Sequence, residues 1–204
     1  MAEFIVTTLV DENDAGDFIT ASGGEGLSLR EAIRLANADS SASYDSIIFQ
    51  QGMSGLIRLT RGEIQITDEV NITGGNVITI TGDALGDDET TAGITEVDAS
   101  LAGDDKLDDN SRIFYATAGL TLDGLTLTGG RTSGASERGG AVYSLQGLTL
   151  INSTISGNST AGDLANGGGV SANQTIEVTN STISGNSTMG DIAVGGGVFA
   201  NQTI

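Results

Sequence analysis

Hydrophobic residues in this chain alternate with polar ones in short runs, and the same runs return at a fixed distance. Leu120-Thr121-Leu122, Leu148-Thr149-Leu150 and Ile176-Glu177-Val178 lie 28 residues apart. Alternation with period two turns one side of a run to a core and the other to solvent, as in a half-buried strand. In the unit around 170–183 it assigns Val170, Ala172, Ile176, Val178 and Ile183 to the inner face. Residues 45–49, 56–59, 63–66, 70–72 and 77–80 read as strands in the same way, separated by Gly or polar turns. One stretch breaks the pattern: Leu29, Ile33 and Ala36 fall on one face at helical spacing, and Ser28 with Glu31 forms a capping box. A helix is therefore expected over 28–38.

The recurrence extends beyond the hydrophobic positions. Residues 152–176 and 180–204 agree at 21 of 25 positions, the exceptions being Ala161/Met189, Leu164/Ile192, Asn166/Val194 and Ser171/Phe199. The same offset carries Gly139-Gly140 onto Gly167-Gly168 and Gly195-Gly196. A fixed period of this size marks a stacked array, and three strand-like segments per unit with Gly and Asn at the turns specify its kind. The expected fold is all-β: a right-handed parallel β-helix, a solenoid of about 28 residues per coil in the C-terminal half. The helix would cap its first hydrophobic coil. Stacking in register predicts ladders at Asn158/Asn186, Asn173/Asn201 and Asn152/Asn180. One domain is expected over 1–204: a cap in 1–44, first coils in 45–82, an acidic insertion loop in 83–111 and regular coils in 112–204. The last coil stops within a repeat, and residues 1–6 carry no secretory signal pattern, so the chain reads as the N-terminal piece of something longer.

Charge narrows the function. There are 27 acidic against 8 basic side chains, a formal −19, with Lys106 the sole lysine. Such a chain lacks the cations that neutralise phosphates, so nucleic acids and anionic membranes are poor partners. No stretch approaches the ~20 apolar residues of a spanning helix, and membrane insertion is not expected. Cys and His are both absent, which removes thiolate chemistry, imidazole bases and the usual zinc ligands. Disorder is opposed by 38% hydrophobic residues, regularly placed.

Ten acids crowd into 83–109 against Lys106 alone, whereas 112–204 holds five acids and three arginines. Carboxylates at that density suit a hard cation, so Ca2+ is the candidate cofactor, with Asp104, Asp105, Asp108 and Asp109 as the nearest ligands and Asp87 and Asp88 behind them. The spacings of EF-hands and of calcium-binding nonapeptides are absent, and a solvated loop is the competing account. Asp163 and Asp191 should stack, either solvated or sharing a cation. Seven Asn-x-Ser/Thr sequons, at Asn71, Asn152, Asn158, Asn173, Asn180, Asn186 and Asn201, follow from a repeat rich in those residues. Glycosidase chemistry needs convergent carboxylates, while Asp123, Glu137, Asp163, Glu177 and Asp191 are widely spaced or merely repeated. Arg131 and Arg138 beside Glu137 read as a surface ion pair, with a small polar site as the alternative.

Two groups of motifs resemble known bacterial proteins. Residues 6–14 (Val-Thr-Thr-Leu-Val-Asp-Glu-Asn-Asp) followed by Leu27-Ser28-Leu29-Arg30-Glu31-Ala32-Ile33 resemble the CSLREA-type N-terminal domain of large bacterial surface and secreted β-helix proteins, with Leu27 in place of the family's cysteine. The units 139–142, 155–158 and 183–186 resemble the GGAI and FxxN repeats of polymorphic outer-membrane proteins, with Ile155 and Ile183 in place of Phe. The resemblance implies an extracellular or cell-surface solenoid, adhesin-like or structural, and supplies no catalytic residue. The expected function is a non-enzymatic structural or adhesive stalk. Its partners would be further coils of the parent chain, a second copy, or a polysaccharide or host-cell surface. A calcium-dependent binding module and a carbohydrate-active enzyme (polysaccharide lyase or glycosidase) are the alternatives.

Overall fold

The computed structural model describes residues 2–13, 26–39, 44–84 and 110–204. Its elements, in chain order, are β1 (Glu3–Val6), α1 (Leu29–Ala38), β2 (Asp45–Phe49), β3 (Gly55–Arg58), β4 (Ile64–Ile66), β5 (Val70–Thr81), β6 (Phe114–Ala116), β7 (Leu120–Thr128) and β8 (Arg131–Thr132). They continue as β9 (Val142–Ser144), β10 (Leu148–Ile151), β11 (Thr154–Ser156), β12 (Ser159–Thr160), β13 (Val170–Ala172), β14 (Ile176–Thr179), β15 (Thr182–Ser184), β16 (Ser187–Thr188) and β17 (Val198–Ala200). The described chain is all-β apart from the one helix, with its strands in three parallel sheets and no closed barrel.

The sheets follow from the repeat. In the first, β1, β2, β5, β7, β10 and β14 lie side by side, β3 pairs β5, and β11 pairs β7 and β15. The second runs β4, β6, β9, β13, β17 and the third β8, β12, β16. From β7 onward the register keeps the 28-residue offset: Leu120, Leu148 and Ile176 are partners, as are Val142, Val170 and Val198, and Thr132, Thr160 and Thr188. Each repeat thus gives the same short strands to the same sheets, and equivalent positions of successive repeats meet across the pairings.

Alternation puts Ile72, Ile80, Leu122, Leu127, Leu150, Ile155, Val170, Ala172 and Ile176 in one continuous core, each at most 0–2% exposed. Burying an aliphatic side chain of this size is worth about 1.5–3 kcal/mol, so the column of them is the main source of cohesion. Two expected core residues differ. Val178 is 40% exposed and Ile183 only half-buried, because β14 and β15 each have a neighbour on one side only among the described residues.

The early part of the chain departs from the expected organisation in two places. Residues 70–72 and 77–80, read as separate strands, form the single β5, whose register against β7 shifts between Thr73 and Ile78. Gly75 and Asn76 take positive φ there, as does Gly124 on the partner strand, so both chains bend at one corner. The sheet also starts before residue 45: β1 pairs in parallel with β2, Glu3 opposite Ser46. Over these strands lies α1. The Ser28 hydroxyl accepts from the Glu31 amide at 3.2 Å while the Glu31 carboxylate accepts from the Ser28 amide at 3.0 Å, closing the capping box. Leu29, Ala32, Ile33 and Ala36 are buried against the core.

Gly82 and Ser111, on either side of residues 85–109, lie next to each other. The Ser111 amide donates to the Gly82 carbonyl at 3.0 Å, and the Arg131 amide donates to the Ser111 carbonyl at 3.2 Å. A Cβ on Gly82 would sit 2.1 Å from the Ser111 carbonyl oxygen, so only glycine permits this closure.

Candidate functional site

The six proposed calcium ligands, Asp87, Asp88, Asp104, Asp105, Asp108 and Asp109, lie outside the described residues. Asp83, grouped with them by composition, is part of the framework instead: it is 3% exposed and its carboxylate meets the Arg58 guanidinium at 3.2 Å. Among the described residues no group of three or more His, Cys, Asp or Glu comes together, and no helix is long and apolar enough to cross a membrane.

Polar groups inside the stack are spent on holding repeats together. Asn158, 1% exposed, donates from its amide nitrogen to the Leu127 and Ser156 carbonyls at 3.1 Å and to the Asn186 side-chain oxygen at 2.9 Å, and accepts from the Gly130 amide at 2.8 Å. Ser153 and Ser181 act alike one corner earlier, the Ser153 amide donating to the Ser181 hydroxyl at 3.0 Å. Asn201 donates to the Asn173 side-chain oxygen at 3.2 Å. The third expected ladder takes another course: Asn152, at φ 48°, donates to Asp123 at 3.0 Å, so Asn152 and Asn180 serve as left-handed corner residues equivalent to Gly124. Asp163 and Asp191 do stack, the Asp191 amide donating to the Asp163 carboxylate at 2.9 Å. A sequon that is buried and fully bonded, as at Asn158, offers no acceptor for glycosylation.

The cap is tied down by an ionic lock. The Asp11 carboxylate, buried, accepts from Arg30 Nε at 2.6 Å and Nη2 at 3.0 Å, in bidentate fashion, and from the Arg61 amide at 3.1 Å. Arg30 also donates to the Gly62 and Glu63 carbonyls at 2.6 and 3.1 Å. The Leu-Arg-Glu-Ala helix thereby joins the N-terminal segment to the β3–β4 corner.

The surface with features suited to binding was not read from the sequence. On the outward side of the second sheet, Gln65, Tyr115, Tyr143, Ser171 and Phe199 occupy one line by register, each flanked in its strand by inward-facing residues. Tyr115 and Tyr143 pack edge to face with centroids 5.8 Å apart. The Arg112 guanidinium stands over both rings, 5.2 Å from Tyr115 and 5.8 Å from Tyr143, and is held by Glu63 at 2.7 Å and by the Arg138 carbonyl at 2.8 Å. Arg138 reaches Phe199, its guanidinium carbon 5.4 Å from the ring centroid. The Tyr143 hydroxyl donates to the Asn173 side-chain oxygen at 3.2 Å. The rings and both arginines are half-buried.

The ion pair expected of Glu137 with Arg131 and Arg138 is not formed. The Glu137 carboxylate turns back to accept from the Gly134 amide at 2.8 Å, and the ion pairs among the described residues are Arg30–Asp11, Arg58–Asp83 and Arg112–Glu63. Proximity in sequence misled here because a tight turn offered Glu137 a nearer backbone donor. The aromatic line left one trace in the sequence, the Ser171/Phe199 mismatch between otherwise matching repeats; stepping back by 28 from it reaches Tyr143 and Tyr115.

Comparison of the chain with protein-family models, with curated proteins and with solved structures finds no match.

Proposed function

We propose that the chain is a segment of a right-handed parallel β-helix, a solenoid that serves as a non-enzymatic structural and adhesive stalk at a bacterial cell surface or in the extracellular medium. The observation that carries this reading is the constant 28-residue register across three parallel sheets, locked from repeat to repeat by Asn158–Asn186 and Ser153–Ser181. Its CSLREA-like and GGAI/FxxN-like motifs resemble those of surface and secreted proteins, which supports the location. Chemistry points away from catalysis: the described framework carboxylates Asp11, Glu63 and Asp83 are paired with arginines, and the repeat surface is chiefly Ser, Thr and Asn. Partners fitting the last sheet edges are further repeats or a second copy, since strands with one free side add another strand readily.

Inserting three additional copies of the unit 152–179 tests the reading by small-angle scattering. A stacked solenoid lengthens by about 14 Å, three strand spacings, at unchanged cross-section. Growth in cross-section, or a loss of cooperative folding, would overturn it.

A further inference from the structure

We propose that the outward line of Tyr115, Tyr143 and Phe199 is a binding strip for an acidic polysaccharide, the sugar rings lying against the aromatic side chains and a uronate carboxylate meeting Arg138. This deepens the adhesive part of the function proposed above and rests on it for the purpose of the surface, while the stacking itself is given by the strand register.

The first argument is placement. On the first sheet the outward line equivalent to this one is polar, Thr121, Thr149 and Glu177. On the second sheet the corresponding line is aromatic at three of its four positions from Tyr115 onward, whereas Phe114 alone of the aromatic residues after 112 enters the core. Rings outside the core add little to folding and cost solubility, so a row of them, interrupted only at Ser171, marks a contact surface. Flat, rigid rings with partly apolar faces suit the C–H faces of pyranoses, and their few rotatable bonds keep the entropic cost of binding low.

The second argument is an unused cation. Acids outnumber bases by more than three to one in this chain, yet the Arg138 guanidinium forms no ion pair or hydrogen bond among the described residues. It is held at the Phe199 ring, a position that fixes the planar fork while leaving its donors for a carboxylate. Arg112 plays a different part: Glu63 and the Arg138 carbonyl occupy it, so it braces the two tyrosines and the backbone from which Arg138 projects.

The third argument is Ser171. It lies on the same line between Tyr143 and Phe199, is 0% exposed, and its hydroxyl has no hydrogen-bond partner among the described residues. A sugar hydroxyl would supply the partner it lacks once binding parts the side chains that cover it. Beside it, the Asn173 side-chain oxygen accepts from both Tyr143 and Asn201, which leaves the Asn173 amide hydrogens as further donors next to the strip. A chain of formal charge −19 repels polyanions at a distance, so any binding reports this local geometry and not general attraction.

The test titrates the whole chain with polygalacturonate and with its methyl ester, which share a backbone and differ in charge, by calorimetry and by tyrosine emission. The chain has no Trp, and two of its three Tyr lie in the strip. The variants are Arg138→Gln, Tyr143→Ser and Phe199→Ser; serine is compatible with the line because Ser171 already occupies it. Polygalacturonate should bind with altered tyrosine emission, and Arg138→Gln should weaken it about tenfold, the effect of one charge-assisted contact, while barely changing the methyl ester. The serine variants should weaken both ligands alike. No binding of polygalacturonate, or equal affinity in Arg138→Gln with an unchanged melting temperature, would overturn the proposal. The scattering experiment on added repeats would stand in that event, so loss of the strip and loss of the stalk are told apart.

Discussion

Asn158 shows what a single side chain contributes to the stack. Its four hydrogen bonds satisfy the Gly130 amide and the Leu127 and Ser156 carbonyls in a site closed to water. Asn158→Ala should destabilise the chain by about 3 kcal/mol, since unsatisfied buried polar groups cost about 1–3 kcal/mol each; urea denaturation measures it. Asn158→Asp should be at least as damaging, because a carboxylate cannot donate to the two carbonyls. The ladder stops at Asn158 because the equivalent position one repeat earlier is Gly130, where a Cβ would lie 2.4 Å from the Gly140 carbonyl oxygen. A strained corner offers the opposite opportunity. Ser136, Leu164 and Ile192 share one position and all adopt φ near +60°, and Ile192 is 82% exposed. A β-branched residue is disfavoured there and makes no compensating contact, so Ile192→Asn should raise stability by about 1 kcal/mol, the scale of the left-handed penalty, seen as a higher melting temperature. Nothing in the identities Leu164 and Ile192 announces this backbone, which is why the sequence did not reveal it.

At the scale of elements, the helix was legible because its signals are local: Ser28 and Glu31 are three residues apart and its apolar face repeats at 3.6. Its attachment was not legible, since Asp11 reaches Arg30 and Arg61 across distances of 19 and 50 residues along the chain. Breaking a buried ion pair by removing one partner costs about 3–5 kcal/mol. Asp11→Asn should therefore loosen α1 and the first strands before the later repeats, giving faster amide exchange in 29–38 and 45–49 with little change in 148–178. Uniform acceleration along the chain would mean that the lock is not confined to the cap. The strands were readable for a similar reason, a period of two repeated at 28. The outward line of Tyr115, Tyr143 and Phe199 escaped because a repeat is recognised by its matches, whereas this surface is written in a mismatch.

At the scale of the whole molecule, the stack should hold without the acidic stretch. The strands on either side are already placed by their own partners, β5 by β2, β3 and β7, and β6 by β4 and β9. Replacing residues 85–109 with a short Gly-Ser linker should leave a cooperative melting transition near that of the full chain, because loop-closure cost changes by only about 0.6 kcal/mol per doubling of length. The same variant separates any response to calcium, which it should lose, from folding, which it should keep. The closure at Gly82 and Ser111 has a wider consequence. A backbone hydrogen bond joins Ser111 to Gly82 directly, so the spacing of the frame at this point has a support of its own among the described residues. The junction should therefore act as a port that accepts a passenger of other size or chemistry, an outcome the linker variant reads directly.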